Sequence, residues 1–331
     1  MGITSYFDKN ILKNKRFEIK DTILVTGTPR SGTTWLMEML GAISGYTYIY
    51  EPLNPIWFPE AFKTGFKSRT YIDPKDEQIA VEEYLRKAFA GKIYSKNPPY
   101  QPNIEMILHR IFATKLIVKS VNLTRLLPWI AKRYKLKHTF FVVRHPCAVI
   151  NSQLRTGFFG YRSETKPHVN ILPTFETIMD EIKDIKTLNE QLANVVSSIK
   201  TKEELLAVVW CLDNLIPLSY PKPYPWTLVI YEQLIKHSDV EIKRIFDAVG
   251  EDIPKSAYSH LNAPSFSTRL DEKKIVKDED KQLSKWEKHL SKEQIQRIYR
   301  VVSQFGFDFY ANDKIPEYDE VKITPKNDNL F

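Results

Sequence analysis

The sequence carries only two cysteines, Cys147 and Cys211, in 331 residues. That excludes a disulfide framework and a four-thiolate zinc site. No apolar run approaches the ~18 residues that a membrane-spanning helix needs, and residues 1–20 lack the apolar core of a signal peptide. Gly2 opens a myristoylation pattern, but Tyr6 stands where that pattern places Ser or Thr. Basic residues do not gather into an arm, which argues against a nucleic-acid partner although 48 Lys and Arg face 40 Asp and Glu. Neither a repeat nor a low-complexity tract is present. The expectation is a soluble, cytoplasmic protein whose positive surplus suits an anionic ligand. With 43% hydrophobic and 27% charged residues, the chain can bury a large core, so general disorder is excluded.

Five short apolar runs read as strands: Thr22-Ile23-Leu24-Val25-Thr26, Tyr46–Tyr50, Leu116-Ile117-Val118, Thr139-Phe140-Phe141-Val142-Val143 and Trp226–Ile230. Several lack polar alternation, as strands covered on both faces do. After the first run, Trp35, Leu36, Met39, Leu40 and Ile43 recur at helical spacing. Ser238–Glu241, Ser291–Gln294 and Thr201–Glu204 read as capping boxes, and Gly250 closes the helix that the first one opens. Strands alternating with helices predict an α/β fold, a central parallel sheet flanked by helices and joined by right-handed crossovers. Residues 57–113 and 157–200 carry no strong strand signal and read as helical or irregular insertions that cover the sheet edge and shape a pocket. A single domain is expected over residues 1–310, followed by a polar, loosely held tail over 311–331.

Gly27-Thr-Pro-Arg-Ser-Gly-Thr-Thr34 lies between a predicted strand and a predicted helix. A glycine-bounded loop there turns successive backbone N–H groups inward, and the helix start adds partial positive charge, so the loop is a cradle for phosphate or sulfate. The spacing is that of an ATP-binding loop, but Thr33 stands where that loop places its lysine. The cation has moved inside the loop, to Arg30. Strand ends at Lys119, Arg144 and Tyr231 offer no carboxylate suited to magnesium. A sulfuryl group, less charged than a terminal phosphoryl, needs less metal. His109, His168 and His237 show no ligand spacing, so no metal site is expected.

Thr28-Pro-Arg-Ser-Gly-Thr-Thr-Trp-Leu36 resembles the 5′-phosphosulfate loop of the sulfotransferases that use 3′-phosphoadenosine 5′-phosphosulfate (PAPS) and release 3′-phosphoadenosine 5′-phosphate (PAP). The resemblance implies a P-loop-like sulfotransferase fold. It implies that Arg30, Ser31, Gly32, Thr33 and Thr34 hold the 5′-phosphosulfate and that Trp35 stacks on the adenine. Arg144 ends a strand, Pro146 suits a first helical position, and Ser152 lies in the helix that follows. A guanidinium fork plus a hydroxyl suits a terminal phosphate, and the pair resembles the family's 3′-phosphate site. His145 stands where relatives often carry Asp or Asn and is given no catalytic role. Val229–Leu234 resembles a segment whose tyrosine, here Tyr231, approaches the adenine. Leu283–Lys288 is similar to a C-terminal segment that contains a Trp-Lys pair. The family's Arg-Lys-Gly element is absent, which leaves Lys277, Lys281, Lys285, Ser267 and Arg269 as loose candidates.

An acceptor hydroxyl must lose its proton as it attacks sulfur, so a general base is required. In the animal cytosolic branch that base is a histidine two positions after a strand-end lysine. Here Lys119 is kept and Val121 replaces the histidine, and valine takes no proton. Glu51, directly after the second strand, is the expected base, since ligands of open α/β sheets bind outside the carboxyl ends of the strands. Glu51-Pro52 also resembles the glutamate used by carbohydrate and tyrosyl-protein sulfotransferases. The competing role for Glu51 is to orient Arg30 or cap a helix. Catalysis is thus expected from Glu51, Arg30 and Lys119. The expected acceptor is a hydroxyl on a carbohydrate or a small-molecule alcohol, or an amine. Trp57, Phe58, Tyr71, Phe158, Phe159 and Tyr161 suit either core packing or an apolar acceptor. A P-loop nucleotide kinase and a catalytically silent nucleotide-binding protein are the rival readings.

Overall fold

The structure, a computed structural model, describes residues 15–54, 57–66, 69–95, 104–156, 173–185, 190–261, 265, 278–312 and 314–321. Its centre is a five-stranded parallel sheet in the order β2-β3-β1-β4-β5. The strands are β1 (Thr22–Gly27), β2 (Tyr46–Tyr50), β3 (Lys115–Lys119), β4 (His138–Val143) and β5 (Thr227–Ile230). Each run singled out as a strand is one, shifted by at most a residue or two at its ends. β1 lies in the middle, and Ile23, Leu24 and Val25 are wholly buried. Each contributes roughly 1.5–3 kcal/mol by leaving water, and Leu24→Ala would cost ~2–5 kcal/mol for the cavity it opens.

The first helices in chain order are α1 (Thr33–Gly41), α2 (Ile79–Phe89), α3 (Ile104–Phe112), α4 (Leu127–Arg133) and α5 (Pro146–Thr156). Next come α6 (Phe175–Asp184), α7 (Glu190–Ser198), α8 (Lys202–Leu218), α9 (Tyr231–Lys236) and α10 (Ser238–Val249). The last are α11 (Lys255–Leu261), α12 (Glu279–Leu283), α13 (Lys292–Gln304) and α14 (Phe309–Asn312). Among the described residues, the stretches 57–113 and 157–200 hold helices and turns and no strand. Because all five strands run the same way, Gly27, Tyr50, Lys119, Val143 and Ile230 end on one edge of the sheet. β1 is the topological switch, with β3 on one side and β4 on the other, and a crevice for ligands opens at such a point.

The capping boxes at Thr201/Glu204 and Ser291/Gln294 are formed, with side chains and backbones bonded reciprocally. The one expected at Ser238/Glu241 is not. Ser238 is already helical, His237 takes the N-cap position, and no side chain caps the helix. Glu241 is claimed instead by Arg244 Nη2 at 2.6 Å and by the Tyr318 hydroxyl; a charge-assisted bond to a guanidinium outcompetes a backbone N–H. Gly250 does end that helix, at φ +65°.

The tail expected over 311–331 is not loosely held across residues 314–321. Val321 is fully buried. Gln233 Nε2 donates to Pro316 O at 3.1 Å, and the Ile230 N–H donates to Tyr318 Oη at 3.3 Å. β5 is an edge strand, and this segment gives its last N–H a partner. At the opposite edge of the sheet, Glu251 accepts from Lys115 Nζ (2.7 Å), Lys137 Nζ (2.6 Å) and Tyr46 Oη (3.0 Å). Burial pushes the Glu251 carboxyl up, but these three donors outweigh it and hold the carboxyl down at about 2.

Candidate active site

The loop after β1 bends where two glycines are required. A Cβ on Gly27 would lie 2.4 Å from Val142 O, and one on Gly32, at φ +102°, would lie 2.6 Å from the Tyr231 ring. Gly32 is the N-cap of α1; no side chain caps this helix, and its first turn has no acidic residue. The first amides of α1 are therefore not claimed by a capping side chain, the condition for an anion site. Ser31 Oγ is buried without a hydrogen-bond partner. The rim of the loop is fixed from behind by Asn214 Nδ2 on Thr28 Oγ1 (3.1 Å) and by Gln153 Nε2 on Pro29 O (2.9 Å).

Arg30 has φ +76°, a region that side-chain-bearing residues rarely enter. Its Nε donates to Ser152 Oγ at 2.9 Å, and its carbonyl accepts Arg144 Nη1 at 3.1 Å. The Arg144 guanidinium lies 4.1 Å from the centre of the Tyr231 ring, which meets Trp35 edge-on at 6.2 Å. Arg30, Gly32, Trp35, Arg144, Ser152 and Tyr231, far apart in the chain, thus form one cluster. Arg144 Nε has no hydrogen-bond partner. An arginine with a spare donor, a buried spare hydroxyl and an uncapped helix start fit a group with an anion at each end. Trp35 Nε1 donates to His260 O at 2.5 Å, which fixes the plane of its ring.

Glu51 and Lys119 make the second cluster. The Glu51 N–H donates to Lys119 O at 2.7 Å, extending the β2–β3 ladder by one bond. Its φ of +50° then turns the side chain back over β3. The Glu51 carboxylate pairs with Lys119 Nζ, and its Oε2 accepts the Val121 N–H at 3.1 Å. Val121 opens a 3₁₀ turn (Val121–Leu126), so the helix-capping role left open for Glu51 is present. It leaves lone pairs on the carboxylate for a further donor. Lys119 Nζ also sits 4.7 Å from the centre of the Tyr50 ring. Burial lowers the Lys119 pKa despite the neighbouring Glu51, and the charge of Arg30 lowers it further.

Of the other candidates, Thr33 and Thr34 are buried in the first turn of α1. Lys281 is spent on a surface pair with Asp278 at 2.9 Å. Lys285 lies in the turn that carries Trp286. Lys277, Ser267, Arg269, His168, Phe158, Phe159 and Tyr161 lie outside the described residues. Trp57, Phe58 and Tyr71 are buried in the core. Among the described residues, no group of three or more His, Cys, Asp or Glu could hold a metal, and no helix is long and apolar enough to cross a membrane.

The sequence reading missed the residues that hold the Arg144 turn. Trp210 Nε1 donates to Arg144 O at 3.0 Å, and Glu232 Oε1 accepts the His145 N–H at 2.9 Å while its Oε2 accepts Tyr310 Oη at 2.9 Å. Burial raises the Glu232 carboxyl, against the pull of these bonds and of Arg144. The His145 ring stacks on Trp286 at 4.7 Å and takes the Cys147 N–H on Nδ1 at 3.2 Å, so Nε2 carries the proton toward Tyr299 Oη. Burial, then Arg144 and Lys314, hold its pKa down to about 3. His145 is a neutral strut. Glu232 beside Tyr231 was the one legible clue, a carboxylate at a strand end.

A parallel sheet whose strand order reverses at a glycine loop, with two guanidinium groups beside that loop, defines an α/β protein of the P-loop type. The profile of the sulfotransferase family matches residues 22–196, more than half of the chain. The chain belongs to that family and is a sulfotransferase. No curated protein matches it. Similar solved structures include the sulfotransferase domain of the Synechococcus PCC 7002 olefin synthase, at 18% identity and a TM-score of 0.46, covering 87% of this chain and 95% of that one. Another is the sulfotransferase domain from the curacin biosynthetic pathway, at 18% identity and a TM-score of 0.45, covering 85% and 96%. A third is mouse sulfotransferase SULT7A1 complexed with PAP, at 14% identity and a TM-score of 0.40, covering 91% and 89%.

Proposed function

We propose that this sulfotransferase takes its sulfuryl group from PAPS and passes it to an acceptor hydroxyl on a carbohydrate or small-molecule alcohol, or to an amine, with PAP as the second product. The observation that carries the reading is the closure of Arg30, Arg144 and Ser152, from two separate strand–turn–helix units, into one cluster beside an uncapped helix start. When bound, PAPS supplies the sulfuryl group and a phosphate leaving group. The residues suited to its 5′ end are Arg30, Ser31, Gly32, Thr33 and Thr34; Arg144 and Ser152 suit the 3′-phosphate, and Trp35 and Tyr231 suit the adenine.

Glu51 acts as the base: its carboxylate takes the proton from the attacking hydroxyl. The bond from the Val121 N–H and the pair with Lys119 hold that carboxylate in one orientation. Lys119 and Arg30 place positive charge where negative charge grows on the transferring group and on the departing oxygen. A prearranged field of this kind is usually the largest catalytic contribution, as in phosphoryl transfer.

The test is a screen of alcohols, sugars and amines with PAPS, following PAP and sulfated product by mass spectrometry for the wild type and Glu51→Gln. Product from the wild type alone is expected. A wild type that forms no product, or one that needs magnesium and ATP, refutes the reading.

A further inference from the structure

Four charged side chains, three of them buried and one partly so, each from a different part of the fold, join the two insertions to the end of the sheet that bears Lys119. Arg69, in the first insertion, donates Nη2 to Glu181 Oε1 at 2.6 Å and Nε to both carboxylate oxygens at 3.2 Å. Glu181 belongs to α6, in the second insertion, and its Oε2 accepts Arg125 Nη1 at 3.0 Å. Arg125 lies in the 3₁₀ turn that follows Lys119, and its Nε reaches Asp213 Oδ1 on α8 at 2.8 Å. The next residue on α8, Asn214, is the one that holds Thr28 of the glycine loop. The side chains of Arg125 and Asp213 are 1% exposed, that of Arg69 5% and that of Glu181 12%.

Stability alone is a poor reason for this arrangement. Buried ion pairs return their desolvation cost only when every donor and lone pair is satisfied, and apolar side chains of similar volume often serve as well or better. Satisfaction is incomplete here, because Arg125 Nη2 and Asp213 Oδ2 have no hydrogen-bond partner. Burial also pushes the Asp213 carboxyl up despite its arginine. Arg69 adds backbone strain, at φ +57°. What the costly arrangement does supply is direction: a guanidinium and a carboxylate meet in fixed planes.

We infer that Glu181 is a positioning residue of the acceptor site, a carboxylate through which both insertions are set against the strand ends that bear Lys119 and Glu51. The inference rests on the proposed function, which puts the acceptor at Glu51. Acceptor binding should then depend on Glu181, while the nucleotide, held by the glycine loop and the Arg144 turn, should not.

The experiment compares wild type, Glu181→Asp, Glu181→Gln and the double variant Glu181→Leu/Arg69→Met in three measurements: acceptor KM, PAP dissociation constant, and hydrogen exchange over residues 69–95 and 173–185. For Glu181→Gln and the double variant, acceptor KM should rise tenfold or more with PAP affinity within twofold, and exchange in both segments should quicken. Glu181→Asp, which keeps the charge, should fall between. The double variant reduces the risk of a folding artefact, because it removes Arg69 together with its carboxylate partner and leaves Arg125 its pair with Asp213. An unchanged acceptor KM, or a PAP affinity that falls in step with it, overturns the inference. If the wild type turns over no acceptor at all, the proposed function has failed instead; exchange that stays at the wild-type rate in the variants then overturns the inference on its own.

Discussion

Arg30 Nε donates to Ser152 Oγ at 2.9 Å. One of these residues stands in the glycine loop after β1 and the other on the helix after β4, so the groups assigned to opposite ends of the nucleotide are already in contact across the crevice. Ser152→Ala removes a hydroxyl from the proposed 3′-phosphate site and a hydrogen-bond partner of Arg30 together. A hydrogen bond to a charged group contributes ~1.5–3 kcal/mol, so PAP affinity should fall by at least about tenfold. Calorimetric titration of wild type and variant with PAP gives the comparison, and equal affinities would remove Ser152 from the site.

Glu51→Gln keeps the volume and the acceptor for the Val121 N–H but cannot take a proton. General bases contribute ~10²–10⁴ in rate, so turnover should drop by that order while PAP affinity stays within about twofold. Lys119→Met should also slow turnover, because it removes the cation that orients Glu51. Single-turnover rates with saturating PAPS separate the chemical step from binding, and a Glu51→Gln enzyme that retains its rate would assign the base elsewhere.

Gly32→Ala should harm both stability and binding. The position has φ +102°, and its new Cβ would press on the Tyr231 ring. A strained backbone position costs ~1–3 kcal/mol, which thermal unfolding would register, and displacement of Tyr231 would disturb the stacked Arg144. Weaker PAP binding together with a lower Tm is expected; an unchanged Tm would mean that the loop can relax.

His145 should contribute to the pH dependence of stability. Its pKa is about 3 in the fold against the ordinary 6.5, so below pH 6.5 the unfolded chain takes up a proton that the folded chain refuses. Stability from this group is therefore complete above pH 6.5 and is lost as pH falls toward 3, by up to ~1.4 kcal/mol per pH unit. Urea unfolding of wild type and His145→Asn at pH 7.5 and pH 5 checks the sign. The variant should lose less stability between the two, and a parallel loss would show that the imidazole is not held neutral.

Much of this architecture was legible in the residues. The strands were, because runs such as Ile23-Leu24-Val25 lack the polar alternation of a half-exposed strand. The glycine loop between β1 and α1 was, because Gly27 and Gly32 bracket Arg30 at a strand-to-helix junction. Tertiary competition was not. The pattern Ser238–Glu241 cannot reveal that Arg244 and Tyr318 claim the glutamate. The polar composition after residue 311 hid the few residues, Tyr318 and Val321 among them, that dock the segment. The buried ion pairs join residues 112, 56 and 88 positions apart, separations at which no local pattern carries a signal. Asp213 did leave a trace, as a charge inside the apolar run of α8, but its partner could come only from the fold.

The most direct measurement is the affinity of the wild type for PAP against adenosine 5′-monophosphate, which differs only by the 3′-phosphate, repeated with Arg144→Ala. PAP should bind at least about a hundredfold more tightly to the wild type, in line with two or more charge-assisted bonds, and Arg144→Ala should abolish most of that preference. Equal affinity of the wild type for the two nucleotides, or a preference that survives in Arg144→Ala, would contradict a site made to grip both ends of the sulfate carrier.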